Sequence, residues 1–230
     1  MTQAGRAGPM SMREAAKAER RDRIVRAAIA LSREAGINGF SMRELAKAAD
    51  VSHATPFNLF GSKAEVIAHI FAADLETFRD ALDAYPSVDA LERLFDMILL
   101  ATEYFRRNSG LYRALHNSFF EAATAVIHQR FTDSRLALFV DLVAAAQADK
   151  FVRADLNCTY MALQLYNQWE ALTHQWARGS ITLERVEKEV RFGFAALLCG
   201  FSTASSRHRL SVRMMAHQAD LMALDDAAPA

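Results

Sequence analysis

Apolar residues return every three or four positions along most of this chain, and nowhere do they alternate singly between turn signals, so helices are predicted throughout. Ile24, Ala27, Ala28, Leu31 and Ala35 make a first stripe, which predicts a helix from Glu14 to Ala35 ended by Gly36. Met42, Leu45, Ala46 and Ala49 make a second, short one, and Phe57 with its neighbours a third. From Ser62 the pattern runs through Val66, Ile67, Ile70, Phe71 and Phe78 to a break at Tyr85, Pro86 and Ser87. Beyond it, helices are predicted for Asp89 to Arg107, Gly110 to Asn117, Ser118 to Ala148, Asp155 to Arg178 and Thr182 to Phe201. The segment after Ser202 turns polar and alanine-rich and reads as a weakly ordered tail. No repeat of 20 to 50 residues is visible.

The stretch Ser41 to Lys63 carries the most information. Ser41 and Glu44 have the S-x-x-E spacing of a capping box, in which side chain and backbone satisfy each other's orphan donors. Asp50 and Val51 supply a turn, and Ser52 can cap a second short helix bearing His53, Ala54, Thr55, Phe57 and Asn58. Gly61 ends it, and Ser62 with Glu65 caps the next. Two short helices about a tight turn, the second with a face small enough to enter a groove, read as a helix-turn-helix that grips DNA.

Charge supports that reading. The formal net charge is zero, yet residues 1 to 63 hold 11 Lys or Arg against 6 Asp or Glu, and residues 64 to 230 hold 16 against 21. A basic head on an acidic body suits a polyanion-binding module joined to something else, because phosphate neutralisation supplies most sequence-independent affinity. The glycine- and proline-containing start, 1 to 13, is expected to be a flexible arm, and Arg6, Arg13 and Lys17 could reach phosphates.

At 52% hydrophobic, 230 residues suffice for one large core or two modest ones. Cys158 and Cys199 are too few for a disulfide framework and fit buried thiols in a reducing cytoplasm. The basic N-terminal segment has no apolar core region, and the longest apolar run, near Phe192 to Phe201, falls far short of the roughly 20 residues a bilayer requires. A cytoplasmic protein without a membrane role is expected. The chain has no H-E-x-x-H, no phosphate-cradling glycine loop, no paired-cysteine metal spacing and no nucleophile elbow, so neither a cofactor nor an enzymatic activity is expected.

Residues 20 to 71 resemble the DNA-binding domain of the tetracycline-repressor-like (TetR) family of transcriptional regulators. The run AAIALSREAGINGFSMRELAKAADVS, then Thr55, Phe60, Ser62 and Lys63, carries the likeness, and beyond residue 80 only helix number and length agree. The resemblance implies an all-α chain. Residues 14–63 would form a three-helix DNA-binding domain, 64–202 a ligand-binding and dimerisation domain, and 203–230 the tail. It also implies that Ser52 to Leu59 is the recognition helix, with His53, Thr55 and Asn58 meeting bases or phosphates. Ser41 and Arg43 would meet the backbone or a base edge, and Lys63 a phosphate at a helix start. Three positions depart from the family pattern: Ala54 stands where glycine is usual, Pro56 where a larger aliphatic is, and Phe57 where tyrosine is. Phe57 keeps the packing but lacks a hydroxyl that could reach a phosphate, and Asn58 is the adjacent polar group that would replace it. Pro56 costs nothing if His53, rather than Ser52, is the cap.

Between Asp89 and Asn117 apolar residues cover more than one helical face, so this stretch must be buried or line a cavity. With Phe119, Phe120, Phe131, Tyr160 and Trp169, it suggests an aromatic interior with few polar anchors. The expected ligand contacts are Phe105, Tyr112, His116, Phe120, Tyr160, Gln164 and Asn167, with Asn117 a further polar candidate. The stripe Val186, Val190, Phe194, Leu197, with Gly193 allowing close approach and Trp176 on the preceding helix, suggests a face that pairs with its twin. The resemblance implies a four-helix homodimer there, a palindromic operator, and repression relieved by a small hydrophobic effector. A helical lipid- or small-molecule-binding protein without a DNA role, or an enzyme with a scattered site, is the alternative. Steep salt-dependent DNA binding would separate the readings.

Overall fold

The computed structural model describes residues 12–36, 39–118 and 125–226, and they fall into two compact units, residues 1–70 and 71–230. Ten helices are present among the described residues: α1 (Met12–Ala35), α2 (Met42–Ala48), α3 (Ala54–Phe60), α4 (Lys63–Ala84), α5 (Ala90–Arg107), α6 (Ser109–Ser118), α7 (Ala125–Ala148), α8 (Cys158–Ala177), α9 (Leu183–Gly200) and α10 (Ala204–Asp226). No strand occurs among them; the one extended pairing is an isolated bridge between Val152 and Ser202. The all-α expectation holds.

In the first unit, Ile24 and Ala28 of α1 pack with Phe40, Met42, Leu45, Ala49, Phe60, Val66 and Ile70. The stripe predicted for α1 is narrower than its spacing suggested. Ala27 and Leu31 are half-buried and Ala35 is exposed. Helix α1 begins at Met12, so Arg13 and Lys17 are helical residues rather than parts of an arm, while Arg6 lies outside the described residues.

The second unit contains the remainder of α4 and helices α5 to α10. Asp89 caps α5 by accepting from the Glu92 N–H at 2.8 Å, Asn157 caps α8 and Thr182 caps α9. Inside lie Leu94, Phe95 and Ile98 of α5, Leu165 and Trp169 of α8, and Val190, Phe194 and Leu198 of α9. The helix expected from Ser118 to Ala148 is described only from Ala125, with 119–124 outside the described residues. Cys158 and Cys199 are half-buried rather than fully buried, and the Cys158 thiol lies 3.2 Å from Gln147 Oε1.

The tail expected to be weakly ordered is instead helix α10, lying along α9. Its polarity misled because its anchors are charged. Arg209 donates to Asp89 at 2.7 Å and to Glu92 at 2.5 Å, and Arg213 donates to Glu92 while its guanidinium lies 4.2 Å from the Phe95 ring centre. Hydrogen bonds from Arg209 hold the Asp89 carboxyl below the usual range. Burial pushes Glu92 up, but Arg213 and Arg209 together bring it below its ordinary value. Leu210 of α10 is fully buried beside them.

Candidate nucleic-acid interface and ligand cavity

The turn between α2 and α3 is built by local chemistry. The capping box at Ser41 is complete: its hydroxyl accepts from the Glu44 N–H at 3.2 Å, and the Glu44 carboxylate accepts from the Ser41 N–H at 2.7 Å. These hydrogen bonds, backbone first, hold Glu44 below its ordinary pKa. After α2, Asp50 adopts φ 50°, and the Val51 N–H closes back onto the Ala46 carbonyl at 3.0 Å. Aspartate is one of the few non-glycine residues that tolerates this left-handed backbone.

Helix α3 is capped by His53, not Ser52, and without a side-chain cap bond. The Ser52 hydroxyl pairs with Thr55 Oγ1 at 2.7 Å instead. Pro56 therefore falls in the first turn, where its missing N–H had no helical partner, and it is buried. Ser52, His53, Ala54, Phe57 and Asn58 are exposed together, with Phe57 45% exposed and its ring centre 6.0 Å from that of His53. Ser41 and Arg43 are also exposed.

Lys63 has a partner within the protein. Its ammonium donates to the Phe40 carbonyl at 2.7 Å and lies 4.5 Å from the Phe40 ring centre, so it ties the start of α4 to the approach to α2. A second tie was not foreseen: Arg21 donates to the Leu59 carbonyl at 2.7 Å and lies 5.3 Å from the Phe60 ring centre. It satisfies an orphan carbonyl at the end of α3 and fixes that helix on α1. Nothing in the spacing of Arg21 distinguishes it from the other arginines of α1.

In the second unit a cavity of about 60 Å³ is lined by Phe71, Phe78, Phe105, Phe139 and Trp169, with Asp74, Tyr112, His116 and Arg135 among its polar members. The Tyr112 hydroxyl donates to the Asp74 carboxylate at 2.8 and 2.9 Å. Burial, then the Asp74 charge, pushes that phenol far above its usual pKa, so it stays a donor. Arg135 pairs with Glu170 at 2.5 Å, both side chains mostly buried. His116 is buried, and burial reinforced by Arg135 and His174 pushes its pKa well below 6.5, leaving a neutral imidazole. Phe105 is the hub of the aromatic set, its ring centre 4.4 Å from Tyr112, 5.6 Å from His116 and 5.6 Å from Trp169, and stacked on Trp176 at 5.3 Å.

Three of the expected ligand contacts, Phe105, Tyr112 and His116, thus meet at one cavity. Tyr160, Gln164 and Asn167 do not: all three are exposed on the outer side of α8, with Tyr160 71% exposed. Asn117 is exposed as well, and Phe120 lies outside the described residues. Asp74 and Arg135 were missed, although a signal existed. Each interrupts an apolar helical stripe, Asp74 between Phe71 and Phe78 and Arg135 before Leu138 and Phe139, where a charge must find a buried partner.

The expected pairing face needs a larger correction. Trp176, Val186, Val190 and Phe194 are buried in the protomer's own core, at 2, 0, 0 and 0% exposure, and cannot meet a twin. Gly193 lies under the Gln168 side chain, and of the predicted set only Leu197 is exposed. The strongest apolar stripe faces inward because it packs α9 against α5, α8 and α10. A weaker surface set lies around the helices: Leu163, Asn167 and Ala171 on α8, and Ala196, Leu197 and Gly200 on α9.

Among the described residues no group of three His, Cys, Asp or Glu could hold a metal ion, and no helix is long and apolar enough to cross a membrane. Residues 24–70 match the family model for bacterial regulatory proteins of the tetR family. The HTH-type transcriptional repressor KstR of Rhodococcus jostii (strain RHA1) is 29% identical over 139 residues, or 60% of this chain and 61% of that protein. The match therefore spans about three fifths of the curated relative. A TetR-family regulator from Syntrophomonas wolfei has the same fold, with a TM-score of 0.68 at 18% identity over 81% of this chain and 98% of that one. So does FadR of Thermus thermophilus, solved with lauroyl-CoA, with a TM-score of 0.65 at 21% identity over 80% of this chain and 95% of that one. The capped helix-turn-helix and the family model agree, and residues 24–70 are a DNA-binding domain of the tetR-family type.

Proposed function

We propose that this protein is a cytoplasmic, homodimeric transcriptional repressor that leaves a palindromic operator when a small, largely hydrophobic molecule enters the aromatic cavity. The observation that carries the reading is the reach of α4. Its first turns give Val66 and Ile70 to the core under the helix-turn-helix, and its later turns give Phe71, Asp74, Leu75 and Phe78 to the cavity wall. A ligand that pushes on this wall acts on a helix that begins in the DNA-binding unit. It shifts DNA affinity only by binding the two arrangements unequally.

The cavity, about 60 Å³, is far below the roughly 300 to 1,000 Å³ typical of ligand sites, so the bound form is an opened one. The bond between Tyr112 and Asp74 joins α6 to α4 at the cavity, and a ligand group that competes for either partner separates those helices. Lauroyl-CoA, held by the Thermus thermophilus relative, supplies a long apolar chain and is the first effector to try.

Dimerisation is assigned to the outer faces of α8 and α9, where Ala171, Ala196 and Gly200 permit close helix approach. Leu197→Arg is then expected to yield a folded monomer in sedimentation analysis and to abolish binding to a palindrome. The reading as a whole is tested by selecting random duplex DNA with refolded protein and titrating the enriched duplex with lauroyl-CoA and shorter acyl thioesters. An enriched palindrome released by an apolar ligand supports it. A folded dimer that enriches nothing defeats it and leaves the helical small-molecule-binding alternative.

A further inference from the structure

We infer that helix α3 reads the operator half-site at A·T pairs, chiefly through thymine methyl groups against Phe57. This rests on the DNA-binding reading above and adds the chemistry of the bases. The side chains that α3 and its cap expose are His53, Ala54, Phe57 and Asn58, preceded by Ser52. From Asp50 to Ser62 the chain has no arginine, lysine, glutamine or glutamate. Bidentate recognition of guanine takes arginine or lysine, and acceptance from the cytosine amino group takes a carboxylate. Helix α3 carries neither.

What it does carry fits the other pair. Asparagine can bond adenine at N6 and N7 together on its major-groove edge, and Asn58 is exposed on α3. Alanine and phenylalanine are the types that meet the thymine methyl, and Ala54 and Phe57 lie three residues apart on the same exposed side. Phe57 is the one large apolar side chain of α3 left 45% exposed, whereas Pro56 and Phe60 are buried in the unit's core. The two hydroxyls at the start of the helix already pair with each other, Ser52 with Thr55 at 2.7 Å, which lowers their value as base readers. His53, 6.0 Å from Phe57 ring to ring, restricts where that phenyl ring can swing. An apolar ring on the exposed side of a helix that enters the major groove gains most where it displaces water from a methyl group.

The test uses the full-length protein and the duplex enriched from a random library. Each thymine of a half-site is replaced in turn by deoxyuridine, which removes the methyl and leaves pairing intact, and dissociation constants are compared at one salt concentration. At one or two positions the wild type is expected to lose affinity roughly fourfold per methyl removed. Phe57→Ala is expected to bind the thymine duplex more weakly and to be indifferent to that methyl, while Phe57→Leu keeps the sensitivity. Asn58→Ala is expected to relax the preference for one adenine by about tenfold. Far-UV circular dichroism establishes that each variant is folded. An enriched half-site with G·C pairs throughout its core, a site whose methyls can all be removed without loss, or an equal loss in Phe57→Ala would overturn the inference while leaving DNA binding intact. Failure to enrich any sequence with folded dimer would instead overturn the regulator reading on which it stands.

Discussion

At the candidate DNA face the caps and the turn pair neighbours in sequence, Ser41 with Glu44 and Ser52 with Thr55, each three residues apart, while two side-chain ties to backbone carbonyls, Lys63 to Phe40 and Arg21 to Leu59, span 23 and 38 residues. At the cavity the side-chain partners are distant, with Tyr112 38 residues from Asp74 and Arg135 35 from Glu170. The α10 anchor is farther still, Arg209 lying 120 residues from Asp89. The first unit therefore sets the ends of α2 and α3 turn by turn, and two longer ties then fix α3 on α1 and the start of α4 beside the approach to α2. The second unit specifies geometry only when helices that are remote in sequence have packed. A site of the first kind should survive changes elsewhere in the chain, and a site of the second kind should report on the packing of its whole unit.

The sharpest way to break that comparison is to damage one core and watch the other. Leu45 is fully buried in the first unit, and Leu45→Ala is expected to destabilise that unit by about 3 kcal/mol. The chain's two tryptophans, Trp169 and Trp176, both belong to the second unit, so their fluorescence reports on it alone, while circular dichroism sees both. In urea the variant should show a helical loss that precedes the tryptophan transition. A tryptophan midpoint that moves with it would mean that the units unfold as one, and the contrast drawn here would fail.

Within the second unit, Tyr112→Phe removes the donor on the Asp74 carboxylate and is expected to cost about 2 kcal/mol, because a partly buried charged acceptor loses its hydrogen bond. Tryptophan fluorescence in denaturant measures it. The double variant with Asp74→Asn should lose less than the sum of the singles, since the two partners act through each other. Additive losses would show that the long-range bond does not organise the cavity.

Acid should also separate the units. His116 has a folded pKa depressed by burial, so the unfolded state takes up its proton first. The stability this neutral histidine supports is complete above the unfolded value of about 6.5 and is lost as pH falls below it, at up to about 1.4 kcal/mol per pH unit. His217 on α10, depressed by burial and by Arg191, shifts in the same direction. The tryptophan transition should therefore move to lower urea between pH 6.5 and 5, and His116→Phe should remove part of that slope. An unchanged slope in the variant would assign the acid response to His217 and other groups.

The same contrast explains what could be read from the chain. The capping box, the turn at Asp50 and the buried positions Ile24, Met42 and Leu45 were legible because they depend on spacings of four residues or fewer. Phe105, Tyr112 and His116 were legible as cavity residues because the stretch forming α5 and α6, apolar over more than one face, must be buried or line a cavity. The pairing face was misread because hydrophobic strength marks burial without saying against what. Val186, Val190 and Phe194 bury themselves in their own protomer, and of that stripe only Leu197 is left exposed. Helix α10 escaped because its attachment runs through Arg209 and Arg213, whose partners on α5 no local pattern announces.

The smallest expected effect is the most local. Ser41→Ala removes the hydroxyl that accepts from the Glu44 N–H and frees the Glu44 carboxylate from one of its two bonds to Ser41, which should cost about 1 kcal/mol of helix stability. The loss should appear in the circular dichroism transition of the first unit and leave the tryptophan transition where it was. Because Ser41 is exposed beside the helix-turn-helix, the same variant separates two roles for one side chain. A glycine at this position retains most of the capping value, since an N-cap glycine costs only a few tenths of a kcal/mol. If Ser41→Gly restores stability and DNA affinity together, the hydroxyl serves α2 alone; if stability returns and affinity does not, the hydroxyl also reaches the phosphate backbone.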